Sequence, residues 1–197
     1  MTHARRCAAA KGVWIGLAVA AGLAAAFELP YVNWRAAVPP IDEQPMVVRH
    51  DAKGSGQFLA PRSGRRRHRG IDLVAPLHSP VRAIRSGRVI RVGVHRGLGR
   101  YVELEHRRQL RSLYAHLSEA RVEPGARVRQ GDIIGLVGKT GNARHRWITP
   151  HLHLEVVRAG EPMDPQTLGL HVTDPSARAD EQLAGEEQES LDASGGE

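Results

Sequence analysis

Alternation of apolar and polar residues predicts short β-strands throughout residues 58–170. Successive side chains of a strand point to opposite faces, so a half-buried strand shows a period of two. Glycine-containing turns such as Ser86-Gly87 separate the apolar segments, and no long segment in this range has the 3.6-residue period of an amphipathic helix. The pattern therefore predicts an all-β domain of antiparallel strands. The segments predicted as strands are 81–84, 88–92, 101–105, 112–117, 133–137 and 151–157.

The last of these segments places two histidines on one face of a strand. His151 and His153 point to one side, while Leu152 and Leu154 point to the other. Two imidazoles side by side on a half-buried strand are typical of a metal site, in which one ring binds the ion and its neighbour serves the chemistry. The remaining ligands would have to come from other parts of the chain.

Two other segments carry residues that could complete such a site. His68 and Asp72 are four residues apart, with a glycine between them that permits a tight turn. In the strand predicted over 112–117, His116 shares a face with Ser112 and Tyr114, which we interpret as the polar face. Taken alone, the first pattern is more typical of a surface histidine beside a carboxylate. The second pattern, taken alone, is more typical of a solvated histidine on a strand.

Composition limits the kinds of site that the chain can build. Hydrophobic residues make up 41% of the sequence and aromatic residues only 4%, so we expect a core of valine, leucine, isoleucine and alanine. The single cysteine, Cys7, excludes an intrachain disulfide and a cysteine-based zinc site. Cys7 precedes the apolar N-terminal segment, whereas the cysteine of a lipoprotein would follow it.

The N-terminus has the layout of a secretory signal. Basic residues, including Arg5 and Arg6, precede an apolar run that ends in small residues. We predict a signal peptide or membrane anchor over residues 1–27, and an uncleaved anchor would hold residues 12–34 at the inner membrane. Either form predicts export to the periplasm or cell envelope. A buried N-terminal helix is the alternative, but the sequence offers no partner for so apolar a helix.

The segments that flank the predicted domain have a different composition. Residues 28–57 are rich in proline and glycine, and we predict a linker with a few ordered residues near its end. Residues 171–197 contain eight acidic residues and one basic residue, which predicts a disordered acidic tail. Because the whole chain has a formal charge of +7, the first 170 residues carry +14.

The strong positive charge of residues 1–170 favours a polyanionic partner, although a solvent-exposed basic surface without such a partner would have the same composition. Anionic lipid and an acidic cell-wall polymer both fit an exported protein. Nucleic acid does not, since the basic residues are not interleaved with aromatic ones and the export signal conflicts with that role.

Several motifs, in order along the chain, make this sequence resemble the lysostaphin-type (LytM-like) zinc metallopeptidases, which cleave peptidoglycan peptides. The resemblance covers nearly all of residues 61–168 and implies an antiparallel β-sandwich of the LytM-like type. The motifs are His68-Arg-Gly-Ile-Asp72, Pro80-Val81-Arg82-Ala83, Tyr114-Ala115-His116-Leu117, Val122-Glu-Pro-Gly125, Val128-Arg-Gln-Gly131-Asp-Ile-Ile-Gly135, Val137-Gly138-Lys-Thr-Gly141, His151-Leu-His153-Leu-Glu155 and Asp164-Pro165.

The resemblance implies a role for five residues. His68, Asp72 and His153 match the zinc ligands of the family, and His116 and His151 match its two metal-free active-site histidines, with the general base undecided between them. We therefore expect one Zn²⁺ per chain, with an open position for water or a substrate carbonyl. The implied function is an exported zinc metalloendopeptidase that hydrolyses stem or cross-bridge peptides of peptidoglycan. The alternative is a non-catalytic wall-binding adaptor or activator on the same fold.

One loop departs from the family pattern. Residues 142–150 are longer than the usual short loop and carry Arg144 and Trp147, which we expect to contact the substrate. Arg65, just before the first predicted ligand, is a third candidate for substrate contact. The other histidines of the predicted domain are expected to be structural or exposed, namely His78, His95, His106 and His145.

Overall fold

The computed structural model describes residues 36–175, and short strands make up most of the regular structure. They are β1 (Met46–Val47), β2 (His50–Asp51), β3 (Gly54–Ser55), β4 (Gly70–Val74), β5 (Pro80–Arg82), β6 (Gly87–His95), β7 (Gly99–Glu105), β8 (Leu110–Ala120), β9 (Arg127–Val128), β10 (Ile133–Val137), β11 (His151–Arg158), β12 (Glu161–Met163) and β13 (Val172–Thr173). Within residues 36–175, two short 3-10 helices span Gly141–Arg144 and Pro165–Leu168.

The predicted signal peptide or anchor lies outside the described residues, as does most of the predicted acidic tail. Between residues 36 and 175, no helix combines the length and the apolar character needed to cross a membrane.

Nine strands form the main sheet, and its neighbouring strands run antiparallel. The order is β12-β11-β8-β7-β6-β9, with β4 pairing with β11, and β10 pairing with both β5 and β8. This architecture confirms the predicted all-β antiparallel fold. The segments predicted as strands from their alternation all contain observed strands, although β6 and β8 extend beyond the predicted bounds.

The central strand β11 directs its apolar side chains into the core and its two histidines to the opposite face. Leu152, Leu154 and Val156 are fully buried in the hydrophobic core. The strand lies between β8 and β4, with every pair in register from His151 to Arg158. A slip of one residue would move three large apolar side chains out of the core. Burial of the leucines therefore fixes the face on which the two histidines lie, as the alternation predicted.

Strand β8 departs from its predicted pattern. Ser112 and Tyr114 were expected on a polar face, but both are buried in the core. The Tyr114 hydroxyl accepts hydrogen bonds from Ser112 Oγ at 3.0 Å and from the backbone N–H of Ile84 at 2.9 Å. These hydrogen bonds satisfy the buried hydroxyl groups, which explains how polar residues can occupy a core face.

His116 nevertheless reaches the opposite face, because β8 contains a β-bulge at this point. Arg100 of β7 pairs with Leu117, and Val102 pairs with Tyr114, so β8 has one more residue than β7 between these pairs. His116 itself has a left-handed backbone conformation, with φ of 64°. A bulge breaks the alternation of faces and re-aims a side chain. The prediction that His116 follows simple alternation with Tyr114 was therefore wrong.

Residues 36–57 pack against the domain, which differs from the linker predicted over 28–57. Ile41, Met46 and Val48 are each about 1% exposed and lie against the core. Strand β1 pairs in parallel with β13, so residues 171–175 also belong to the domain and not to the predicted tail. The strands involved have only two residues each, too short to show a period in the sequence.

The packing of β11 leads to a testable expectation for stability. Leu154→Ala removes a fully buried side chain and should lower the free energy of unfolding by about 2–5 kcal/mol. Val94→Ala is the matched control, because Val94 is 77% exposed and its truncation should change stability by about 0.5 kcal/mol or less. Denaturant unfolding of both variants measures the difference. Equal losses would contradict the placement of the core.

Candidate metal centre

Three side chains from β4, β11 and the loop before β4 converge on one point. Asp72 lies directly opposite His153, and the distance from His153 Nδ1 to Asp72 Oδ1 is 2.7 Å. His68 Nε2 is 3.1 Å from the same oxygen and 3.0 Å from His153 Nδ1. This triangle of two nitrogens and one oxygen is close to the tetrahedral face formed by ligands about 2.0–2.1 Å from a metal ion. The three residues could therefore hold a metal ion.

The outer nitrogen of each histidine in this cluster has its own partner. His68 Nδ1 lies 2.7 Å from the carbonyl oxygen of Gln57, and His153 Nε2 lies 3.1 Å from Glu155 Oε1. Such partners fix the tautomer and orientation of metal-binding imidazoles. Gly70 is required for this packing, because a Cβ there would lie 2.2 Å from a backbone oxygen of β11 and 3.0 Å from Glu155 Cγ.

Hydrogen bonds within the cluster also shift the pKa values of its residues. Burial opposes the charged form of Asp72, but hydrogen bonds from His153 and His68 outweigh burial and hold the pKa of Asp72 well below its usual range. Burial likewise opposes protonation of His153, but hydrogen bonds to Asp72 and Glu155 outweigh it and raise the pKa of His153 to about 9. At neutral pH, His153 is therefore protonated when no metal is bound, and a metal ion would replace that proton.

Metal affinity should consequently rise with pH. Below about pH 9 the His153 imidazolium must lose its proton before it can act as a ligand, so the apparent dissociation constant should fall about tenfold per pH unit from about pH 6 to about pH 8. Competition with a chelator of known affinity measures this slope. A slope near zero would show that metal binding releases no proton and would contradict the protonated state of His153.

His116 and His151 lie beside the cluster. Their ring centroids are 4.9 Å apart, and His151 Nε2 is 3.9 Å from Asp72 Oδ1. His116 Nδ1 donates to the carbonyl oxygen of Thr140 at 2.9 Å, and His151 Nδ1 donates to that of Thr149 at 2.6 Å. With Nδ1 carrying the proton, the neutral ring of each histidine has its lone pair on Nε2.

The two rings differ in how easily they take up a proton. Burial, together with the positive charge of His153, lowers the pKa of His116 to about 3. Burial also lowers the pKa of His151, but Asp72 partly opposes this effect. Both rings are therefore neutral near pH 7 and able to accept a hydrogen bond or a proton.

These histidines open on a cleft of about 320 Å³. The lining includes the cations Lys53 and Arg62, and it also includes His95, Leu98 and Asn142. His95, expected to be structural or exposed, is exposed and forms part of the cleft wall. The cleft therefore offers cationic groups beside the candidate metal centre.

The residues predicted to contact substrate lie outside this lining. Arg65, Arg144 and Trp147 are all exposed, and the Arg146 guanidinium lies 3.5 Å from the centroid of the Trp147 ring. None of the three predicted residues lines the cleft that contains the histidine cluster. Their role in substrate binding stays a prediction.

Sequence reasoning missed three residues that contact the cluster. Glu155 shares a face with His153, and the period of two could have revealed it. Arg49 Nη2 and Arg62 Nη2 approach Asp72 Oδ2 at 3.0 and 3.6 Å. No sequence pattern indicates these contacts, because the partners are separated along the chain and Arg49 lies within the predicted linker.

A site of this composition is typical of metal-dependent hydrolases, in which a few imidazole and carboxylate ligands leave room for water and substrate. Comparison with known families narrows that class. The sequence model of Peptidase family M23 matches residues 66–165, which is about half of the chain and includes all five predicted active-site residues. The chain belongs to this family, and the resemblance inferred from the motifs is confirmed.

The chain is also similar to curated proteins that are named as endopeptidases. The DD-carboxypeptidase/endopeptidase Mpg of Neisseria meningitidis is 41% identical over 105 residues, which cover 53% of this chain and 23% of that protein. The peptidoglycan DD-endopeptidase ShyB of Vibrio cholerae is 35% identical over 105 residues, which cover 53% of this chain and 24% of that protein. The match thus spans less than a quarter of the length of either relative.

Solved structures support the fold. The catalytic domain of the antimicrobial peptidase lysostaphin from Staphylococcus simulans is 31% identical to this chain, with a TM-score of 0.52. The match covers 60% of this chain and 92% of that domain. The predicted LytM-like fold is confirmed.

Proposed function

We propose that this protein is an exported zinc endopeptidase that hydrolyses peptide bonds in peptidoglycan. The observation that carries the proposal is the buried triangle of His68, Asp72 and His153 with two neutral histidines beside it on one cleft. Family membership supports the peptidase activity, and the donor set of two imidazoles and one carboxylate fits zinc. Export is supported by the N-terminal sequence pattern alone.

His151 is the better candidate for the general base. When bound, Zn²⁺ supplies Lewis acidity that makes water a nucleophile near neutral pH. His151 Nε2 can take the proton of that water and pass it to the nitrogen of the leaving amine. Asp72, 3.9 Å from this nitrogen, favours the imidazolium that forms in between.

His116 is better suited to orient the reacting groups. Its pKa of about 3 disfavours a protonated ring, and its N–H is already donated to Thr140. The neutral ring can therefore accept a hydrogen bond at Nε2 but does not offer a proton there. This geometry favours a role in holding water or a substrate N–H over the role of an oxyanion donor.

Charge around the cleft fits the proposed substrate. Peptidoglycan stem peptides carry free carboxylates, and Lys53 and Arg62 offer cations on the cleft wall. The charge of +14 on the first 170 residues would also favour contact with an anionic wall polymer.

Digestion of purified sacculi tests the proposal. We expect the full chain loaded with zinc to hydrolyse one kind of peptide bond in the sacculi. A muramidase then cuts the glycan strands, and mass spectrometry identifies muropeptides with a newly exposed amine or carboxyl group at that bond. Removal of zinc with a chelator should stop formation of these products, and zinc should restore it. If the zinc-loaded protein binds sacculi but no cleaved muropeptide is found, the enzyme proposal fails and the adaptor alternative gains support.

A further inference from the structure

The strongest unexplained feature near the cluster is a buried arginine held between two carboxylates. The Arg49 side chain is 6% exposed, and its Nη2 donates to Asp72 Oδ2 at 3.0 Å while its Nη1 donates to Asp51 Oδ1 at 2.6 Å. The oxygen that Arg49 contacts is not the Asp72 oxygen that faces His68 and His153. Arg49 can therefore hold the aspartate without competing for its metal-facing atom.

Asp51 extends this contact to the other side of the site. Its Oδ2 accepts the backbone N–H of Thr149 at 3.0 Å. The carbonyl oxygen of Thr149 accepts the Nδ1 proton of His151 at 2.6 Å. One chain of hydrogen bonds thus runs from Asp72 through Arg49, Asp51 and Thr149 to His151.

The backbone fixes Arg49 at the start of this chain. The N–H of Arg49 donates to the carbonyl of Asp72 at 2.8 Å, and the N–H of Gly56 donates to the carbonyl of Arg49 at 2.7 Å. Gly56 permits the close approach, because a Cβ at this position would lie 2.6 Å from Asp72 Cβ. The segment from Val48 to Gly56 therefore packs against β4 as an ordered part of the domain.

We propose that Arg49 and Asp51 are positioning residues that couple the candidate metal ligand Asp72 to the candidate base His151. Arg49 orients the Asp72 carboxylate, and Asp51 fixes the Thr149 peptide that holds the His151 ring. Partners of this kind raise metal affinity or activity by about 10- to 100-fold. The catalytic part of this inference rests on the proposed function, whereas its effects on metal affinity and on the Thr149 amide do not.

Two substitutions separate the two ends of the hydrogen-bond chain. Arg49→Met removes the donor to Asp72 and should weaken zinc binding by about 10- to 100-fold in competition with a chelator. Asp51→Ala leaves Arg49 on Asp72 but removes both acceptor oxygens of residue 51. We expect it to speed amide exchange of Thr149 and lower kcat by at least about tenfold, with zinc affinity and KM within about threefold of wild type.

The exposed pair Arg82–Asp42 supplies matched controls, since it is also an arginine–carboxylate pair, with a contact of 2.8 Å, and lies outside the cleft lining. Arg82→Met and Asp42→Ala should leave zinc affinity, Thr149 exchange and kcat within about twofold of wild type. If Arg49→Met does not fold, Arg49→Lys replaces it. One ammonium cannot hold both carboxylates as the guanidinium does, so this variant should also bind zinc at least about threefold more weakly.

The outcomes that would overturn the inference are separate from those that test the proposed function. Wild-type zinc affinity in Arg49→Met or Arg49→Lys, or wild-type Thr149 exchange in Asp51→Ala, would refute it. Both measurements are made without substrate. A wild-type protein that hydrolyses no peptidoglycan would refute the proposed function, while the zinc and amide measurements would still decide the positioning role.

Discussion

The His153→Ala variant should lose both bound zinc and peptidoglycan hydrolysis while keeping a folded domain. His153 supplies one corner of the ligand triangle, and the remaining pair of His68 and Asp72 leaves too few protein ligands for a catalytic zinc site. The fold should survive because the strand is held by Leu152 and Leu154, which lie on its other face. Metal content, circular dichroism and muropeptide release measure the three parts of this expectation.

His171→Ala is the control for this variant, because His171 is exposed and is not among the residues that line the cleft. It should retain one zinc per chain and full hydrolysis. Stoichiometric zinc in His153→Ala would contradict the ligand assignment. Loss of the folded state would instead show that His153 is required for stability.

The second large effect is expected for His151→Ala, which should retain zinc but lower kcat by about 10²–10⁴-fold. The ring is not part of the ligand triangle, so its removal leaves His68, Asp72 and His153 in place. What is lost is the Nε2 acceptor near Asp72 that is proposed to move the proton. Steady-state hydrolysis of a defined muropeptide, with metal content measured on the same sample, tests this expectation.

Comparison with His116→Ala tests the division of roles between the two histidines. If His151 is the base, its variant should remove the dependence of kcat/KM on the ionisation of a base, whereas the His116 variant should retain that dependence at a lower rate. Loss of zinc from His151→Ala, or an unchanged pH profile, would contradict the assignment.

The strands were predictable where one face is buried along the whole segment. In β11 the apolar residues Leu152, Leu154 and Val156 alternate strictly, so both the strand and the orientation of its histidines follow from a period of two. The triangle of His68, Asp72 and His153 was suggested by motif resemblance, and the structure brings the three together because Asp72 and His153 are opposite each other in paired strands.

Other features could not be predicted, for identifiable reasons. The bulge at His116 depends on the pairing of β8 with β7, which no local pattern indicates. The packing of residues 36–57 uses two-residue strands and isolated backbone hydrogen bonds, so it has no period. The contact between Arg49 and Asp72 joins residues 23 positions apart along the chain. Each of these features arises from tertiary pairing and not from local propensity.

The bulge in β8 limits how this site can change during evolution. A substitution can remove the His116 ring, but only a change in backbone length can remove the bulge that aims it. Loss of Ala115 would restore the alternation and place an intact histidine directly opposite His153, in the register that Ala115 now occupies. In descendants of this gene, a deletion in β8 would therefore misplace this ring while every motif histidine remained in the sequence.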